Sequence, residues 1–139
     1  MTVGIAVDLA ADRHWTQPVQ LVAWAALAAT AAAALFVAWP TRRRIQVART
    51  LVAVVIVAAV FGIWEHVESN YDAGELDYLY TDTWADLPDS TRWWLALSKT
   101  VGPSPPFAPG ALAQAALCVL LATVRHPALH PSGQRAAQM

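Results

Sequence analysis

The sequence predicts an all-α integral membrane protein with three transmembrane helices and a short helical cap on the outer side. Three observations predict it. Of 139 residues, 57% are apolar and only 14% are charged, where soluble domains carry about a quarter charged residues. Three apolar stretches are long enough to cross a hydrocarbon core of roughly 30 Å at about 1.5 Å per residue. The remaining charges are segregated by sign along the chain. The length bounds one membrane domain over residues 1–139. Its spans fall at about 18–40, 45–67 and 107–124, its outer cap at 68–106 and its cytoplasmic tail at 125–139. So apolar a chain is not disordered. Its near-even charge, nine basic against ten acidic residues, excludes a classical nucleic-acid binder. A single cysteine, Cys118, excludes a disulfide framework and a multi-cysteine metal site.

The first span, Pro18 to Pro40, carries no charge, and its middle from Ala25 to Ala34 is mostly alanine. Alanine forms helix well and permits close helix contact. Trp15 and Trp39 flank it at the two interfaces. A cleaved signal peptide fits poorly, because the run is too long and no basic region precedes it. The second span, Ile45 to about Val67, is uncharged from Thr50 to Trp64. Arg49 and Glu65 reach their interfaces by snorkelling. Its valines and isoleucines would suit a strand in water. In lipid only a helix or a closed barrel satisfies the backbone, and the segment is too long for a barrel strand.

Two shorter elements are expected in the cap. Glu75 to Leu87 reads as an amphipathic helix with Leu76, Leu79, Tyr80, Thr83 and Leu87 on one stripe and Asp72, Glu75, Asp82 and Asp86 on another. A docking face for a basic partner, or a cation site, is its functional alternative. Trp93, Trp94, Leu95, Leu97 and Val101 mark a short interfacial or partly re-entrant helix. Asp89 or Ser90 caps it, Lys99 sits in its last turn and Gly102 ends it. The run from Gly102 to Pro109, rich in proline, is an extended connector. The third span, Phe107 to Val124, opens on Pro109-Gly110. Its polar members, Gln114 and Cys118, share one face and are expected in helix–helix packing.

The charges fix an orientation. Arg42, Arg43, Arg44, Arg49, Arg125 and Arg135 face no acid on their side, whereas Glu65 to Lys99 holds eight acids and two bases. The positive-inside rule places the arginine loop and C-terminus in the cytoplasm, with the N-terminus and long loop outside. Three spans agree with termini on opposite sides. Arg42, Arg43 and Arg44 anchor the inner interface and contact anionic lipid. Trp15, Trp39, Trp93 and Trp94 anchor at headgroup level.

If the second helix continues through Asp72, Glu65, Glu68 and Asp72 share a face, with His66 and Asn70 on the neighbouring one. His14 lies at the outer start of the first span. Imidazoles with carboxylates suit zinc, iron or manganese, so Glu65, His66, Glu68, Asp72 and His14 form a candidate transition-metal site. The plain alternative is a solvated helix end. The spacing is neither HExxH nor the Glu-x-x-His of di-iron bundles. Haem bracketed by His14 and His66 fits less well, since neither lies well inside a span. His126 and His130 are four apart, but Pro127 and Pro131 interrupt any helix. No calcium loop, nucleophile elbow, phosphate loop or dinucleotide fingerprint occurs, and no catalytic residue is assigned.

The pattern Gly62-x3-His66-x3-Asn70-x2-Ala73-Gly74, with Pro105-Pro106-Phe107-Ala108-Pro109-Gly110 and Arg125-His126-Pro127, resembles small uncharacterised bacterial membrane proteins. The resemblance covers the second span to the end of the third. It implies a multi-helix inner-membrane protein and supplies no activity or ligand. The abundance of alanine, valine and arginine beside one lysine fits a high-GC bacterium. The first functional expectation is a non-enzymatic membrane subunit or homo-oligomer, partnered by lipid and by another membrane protein or itself, whose outer cap binds a partner or ligand. The second is metal handling, sensing or redox chemistry at the outer site. The third is a small transporter or channel, which needs oligomerisation because Thr30 and Gln114 are almost the only central polar residues.

Overall fold

A computed structural model describes residues 2–129. His130, Pro131 and Arg135, with the rest of the expected tail beyond Leu129, lie outside the described residues. Among the described residues every regular element is helical: α1 (Thr2–Ala11), α2 (Leu21–Ala38), α3 (Arg42–Ala73), α4 (Asp89–Leu97) and α5 (Gly110–Thr123). Single 3-10 turns lie at Pro18–Gln20, Gly74–Leu76, Trp84–Asp86 and Pro127–Leu129. The described residues divide into two compact units, 2–59 with 111–129, and 60–110.

Two helical stretches are long and apolar enough to cross a membrane, Pro18–Ala38 with 21 residues and Arg42–Leu76 with 35. The helix in the third apolar stretch is shorter than expected. α5 has 14 residues, about 21 Å of rise. Its start is delayed because Phe107–Pro109 is spent on turns, in which Ala108 N donates to the Pro105 carbonyl and Gly110 N to that of Phe107. Its end is set near Arg125, which takes a left-handed φ of 54°. α1 is an element the sequence reading did not anticipate.

In the first unit α2 buries Ala26, Leu27, Thr30 and Ala33, while α3 buries Ile45, Ala48, Val52, Val55 and Ala59. Both sets follow the three-and-four spacing of one helix face. α5 contributes Leu112, Ala115 and Ala116, and Ile5, Ala6 and Leu9 of α1 pack against the same cluster. Small side chains fill much of this interior, and they let helix backbones approach closely. Larger apolar side chains point outward: Leu21, Val22 and Leu35 on α2, Val47, Val54 and Val57 on α3, and Leu117 and Leu121 on α5 are exposed.

Polar contacts close the ends of these helices. Thr41 caps α3, its hydroxyl accepting from Arg44 N at 3.2 Å. Arg44 donates to the Trp39 carbonyl at 3.0 Å, at the end of α2. Arg49 reaches the end of α5, with Nε donating to Thr123 Oγ1 at 3.0 Å and Nη2 to the Thr123 carbonyl at 2.9 Å. A cation suits the negative end of a helix. Trp24 Nε1 donates to the His14 carbonyl at 2.8 Å, which ties the turn after α1 to α2.

In the second unit Val67, Trp84, Ala96 and Val101 are buried together, with Tyr71, Tyr80, Leu87 and Trp93 packed around them. The amphipathic helix expected over Glu75–Leu87 does not form. The segment is a run of hydrogen-bonded turns, in which the Asp77 carboxylate accepts from Leu79 N at 3.0 Å. Such an Asx turn competes with helix for the backbone. Leu76 and Leu79 of the expected buried stripe are 86% and 61% exposed, and Trp84 supplies the buried side chain instead. α4 forms near its expected place, but Pro88 is its N-cap, no side chain caps it and Asp89 lies in its first turn. Its closing residue is Lys99, at φ 57°, whose neighbour Thr100 donates back to the Leu95 carbonyl. Gly102 lies beyond that turn and serves a different purpose, described next.

Candidate functional site

The most specific set of contacts lies in the second unit, along one side of α3. Gly62, His66, Asn70 and Gly74 follow one another at four-residue intervals, which keeps them near one helix face with a slow drift. Each meets the chain that returns after α4 or the turn that precedes it. A Cβ on Gly62 would stand 3.0 Å from the Pro109 ring. The Pro105 carbonyl accepts from His66 Nδ1 at 2.8 Å, so that nitrogen carries the ring proton. A Cβ on Gly74 would overlap the Trp84 indole.

Asn70 is fully buried and saturates its amide. Nδ2 donates to the Ala96 carbonyl at 3.1 Å and to the Ser104 carbonyl at 2.7 Å. Oδ1 accepts from Ser104 N at 2.8 Å. One side chain thus holds the end of α4 and the start of the proline-rich connector against α3. Gly102 makes the approach possible. Its φ is +78°, and a Cβ there would collide with Asn70. Only glycine meets both conditions without strain.

Aromatic rings extend this seat. Trp93 stacks between Trp64 and Tyr71, with ring centroids 5.3 and 4.5 Å apart. Tyr71 meets Trp84 edge-on at 5.6 Å. The Arg92 guanidinium lies 5.6 Å from the Tyr71 ring centroid and pairs with Asp89. This arrangement positions chain segments and exposes their loop. Leu76, Tyr78 and Leu79 stand outward, Tyr78 being 86% exposed, among the exposed acids Asp72, Glu75 and Asp82.

Among the described residues no group of three or more His, Cys, Asp or Glu side chains is placed to hold a metal ion. Glu65, His66, Glu68 and Asp72 all lie on α3. Glu68 and Asp72 are exposed, and His66 is engaged with Pro105. His14 belongs to the other unit. His126 accepts from Ala128 N at 3.2 Å in a local turn. Of the expected anchors, Arg42, Arg43, Arg44, Trp15, Trp39 and Trp94 are exposed, whereas Trp93 is partly buried in the ring stack. Gln114 and Cys118 are also exposed, so their face of α5 is not packed within the chain.

Sequence reasoning did not assign a role to Asn70, Gly74 or Trp84, and it read Gly102 only as the end of α4. The available signal was the four-residue repeat from Gly62 to Gly74, a period that aligns residues for a strap crossing along a helix. In comparison with known proteins, no family model, no curated protein and no solved structure matches the chain.

Proposed function

We propose that the chain is a non-enzymatic integral subunit of a bacterial cytoplasmic membrane. In it the stretches at about 18–40, 45–67 and 107–124 cross the bilayer, and the 68–106 segment lies outside and engages a partner. One observation carries this proposal: small side chains fill much of the interior of the first unit, while valine, leucine and tryptophan side chains point outward. A soluble protein rarely exposes so much contiguous apolar surface, whereas lipid covers it without cost. The sign segregation of the charges supports the orientation, with Arg42, Arg43 and Arg44 at the cytoplasmic face. The Asn70 clasp supports an outer segment held in one shape, with Leu76, Tyr78 and Leu79 offered among acids as the partner surface. Alkaline carbonate extraction followed by vesicle flotation tests the insertion, and native mass spectrometry of gently extracted protein tests the partnership. The expected results are retention in the membrane and a reproducible assembly heavier than one chain. A protein released by carbonate, or a monomer under every gentle extraction, contradicts the proposal.

A further inference from the structure

One end of the first unit carries cations without counter-charges. Arg42, Arg43, Arg44 and Arg49 lie at the start of α3, and Arg125 follows α5. Neither Thr41–Ala59 nor Ala111–Leu129 contains an Asp or Glu. The acids of this unit, Asp8 and Asp12, belong to α1 and the turn after it, which Trp24 ties to the start of α2. Arg44 sits at the other end of α2. Among the described residues the side chains of Arg42, Arg43 and Arg125 make no hydrogen bond and no ion pair. These arginines are not equivalent. The buried stripe of α3, with Ile45, Ala48 and Val52, has Arg44 on one flank, reaching α2, and Arg49 on the other, reaching α5. Helical periodicity puts Arg42 and Gln46 on the Arg49 flank and Arg43 nearly opposite the stripe. The Arg49 guanidinium is pinned by Thr123, and its remaining N–H groups are unengaged among the described residues. Arg42, Gln46, Arg49 and Arg125 thus border one crevice between the start of α3 and the end of α5.

We propose that this crevice seats the headgroup phosphate of one anionic phospholipid of the inner leaflet, held by Arg42, Arg49 and Arg125 with the Gln46 amide as a further donor. The inference rests on the membrane insertion proposed above. It goes beyond a general attraction of Arg42, Arg43 and Arg44 to the bilayer, because it assigns the ligand to one flank of α3. A guanidinium meets a phosphate with two parallel N–H donors. One already pinned to a helix end loses little freedom on taking a ligand. Uncompensated cations complement a net negative headgroup, and such headgroups lie at the cytoplasmic leaflet. Free phosphate offers the same oxygens. The exposed Leu121 and Val124 beside Arg125 favour the lipid, since they offer an apolar surface to its acyl chains.

The test uses the full chain, extracted gently and stripped of bound lipid, then mixed in detergent with phosphatidylglycerol or phosphatidylcholine. Native mass spectrometry counts the lipid retained. The expected result is a single phosphatidylglycerol per chain, held in preference to phosphatidylcholine. Arg42→Gln and Arg125→Gln leave the Arg49–Thr123 bonds in place and should each weaken retention roughly 5-fold, the share of one arginine near a charged headgroup. Arg43→Gln removes the same charge from the far side of α3 and should weaken it by less than about 2-fold. Equal losses in all three variants reduce the effect to bulk attraction and overturn the seat. Equal retention of the two lipids overturns it as well. Inorganic phosphate that binds the lipid-free chain and displaces phosphatidylglycerol as an equal competitor assigns the crevice to free phosphate and overturns the lipid. Carbonate release of the unmodified chain overturns the membrane insertion itself, whereas an embedded chain that fails the lipid tests overturns the seat alone.

Discussion

Replacing Asn70 by Asp keeps the size and shape of the side chain and removes its two donors. The Ala96 and Ser104 carbonyls, now 3.1 and 2.7 Å from Asn70 Nδ2, would face a carboxylate oxygen. Only the bond from Ser104 N to Oδ1, at 2.8 Å, survives. The Ala96 carbonyl keeps a second donor, Lys99 N at 3.3 Å, so the orphaned Ser104 carbonyl is the main loss, and leaving a buried polar group unsatisfied costs about 1–3 kcal/mol. Burying a carboxylate without a cation adds to that. Asn70→Ala loses all three bonds but brings no charge, and it should cost about 3 kcal/mol or more. Thermal unfolding of the protein in mild detergent, followed by near-ultraviolet circular dichroism, reads this directly because Trp84 and Trp93 lie in the same unit. A fall of roughly 10 °C in Tm is expected for Asn70→Asp, with faster proteolysis between residues 74 and 106. A variant within about 0.5 kcal/mol of the parent, about half the net worth of one ordinary hydrogen bond, would refute the clasp.

Other sites give independent tests. Gly74→Ala places a methyl group inside the Trp84 indole, which should cost about 1–3 kcal/mol and shift tryptophan emission to longer wavelength as Trp84 loosens. Gly102→Ala meets both a positive φ and the Asn70 side chain, so it should unfold the connector at least as readily, read by the same proteolysis. Arg49→Lys loses the paired reach to Thr123 Oγ1 and carbonyl. A loss of about 1–2 kcal/mol is expected, because one ammonium does not reproduce the fork, and unchanged thermal stability would remove Arg49 as the clamp on α5. Tyr78→Ala, at an 86% exposed position, should leave Tm unchanged while weakening the assembly seen by native mass spectrometry.

The helices were legible where composition and periodicity acted alone. The spans expected at about 18–40 and 45–67 meet the helical stretches Pro18–Ala38 and Arg42–Leu76, the second running beyond its uncharged part at both ends, and α4 was foreseen between Ser90 and Val101. The turns after Gly74 were not. Their leucines and acids fit a helical stripe, but Trp84 must drop onto Gly74, and that is a tertiary demand no local pattern records. Lys99 closing α4 with a left-handed φ was hidden for the same reason, since Gly102 nearby looked like the natural terminator. The candidate metal residues show the limit of spacing arguments. Glu65, Glu68 and Asp72 do follow one face of α3, but among the described residues they form no group of three placed to hold a metal ion, and His14 belongs to the other unit. Asn70 was noticed only beside His66 and as one position of a spaced pattern, with no role of its own. Its role depends on Ser104, 34 residues away in sequence.

Membrane insertion with the 68–106 segment outside is tested most directly by thiol accessibility in intact cells. In a Cys118→Ala background, Tyr78→Cys and Arg43→Cys are labelled with a membrane-impermeant maleimide before and after lysis. The expected result is labelling of Tyr78→Cys in intact cells and of Arg43→Cys only after lysis. Labelling of Arg43→Cys alone in intact cells would invert the topology. Protection of both until lysis, with both recovered in the soluble fraction, would remove the protein from the membrane.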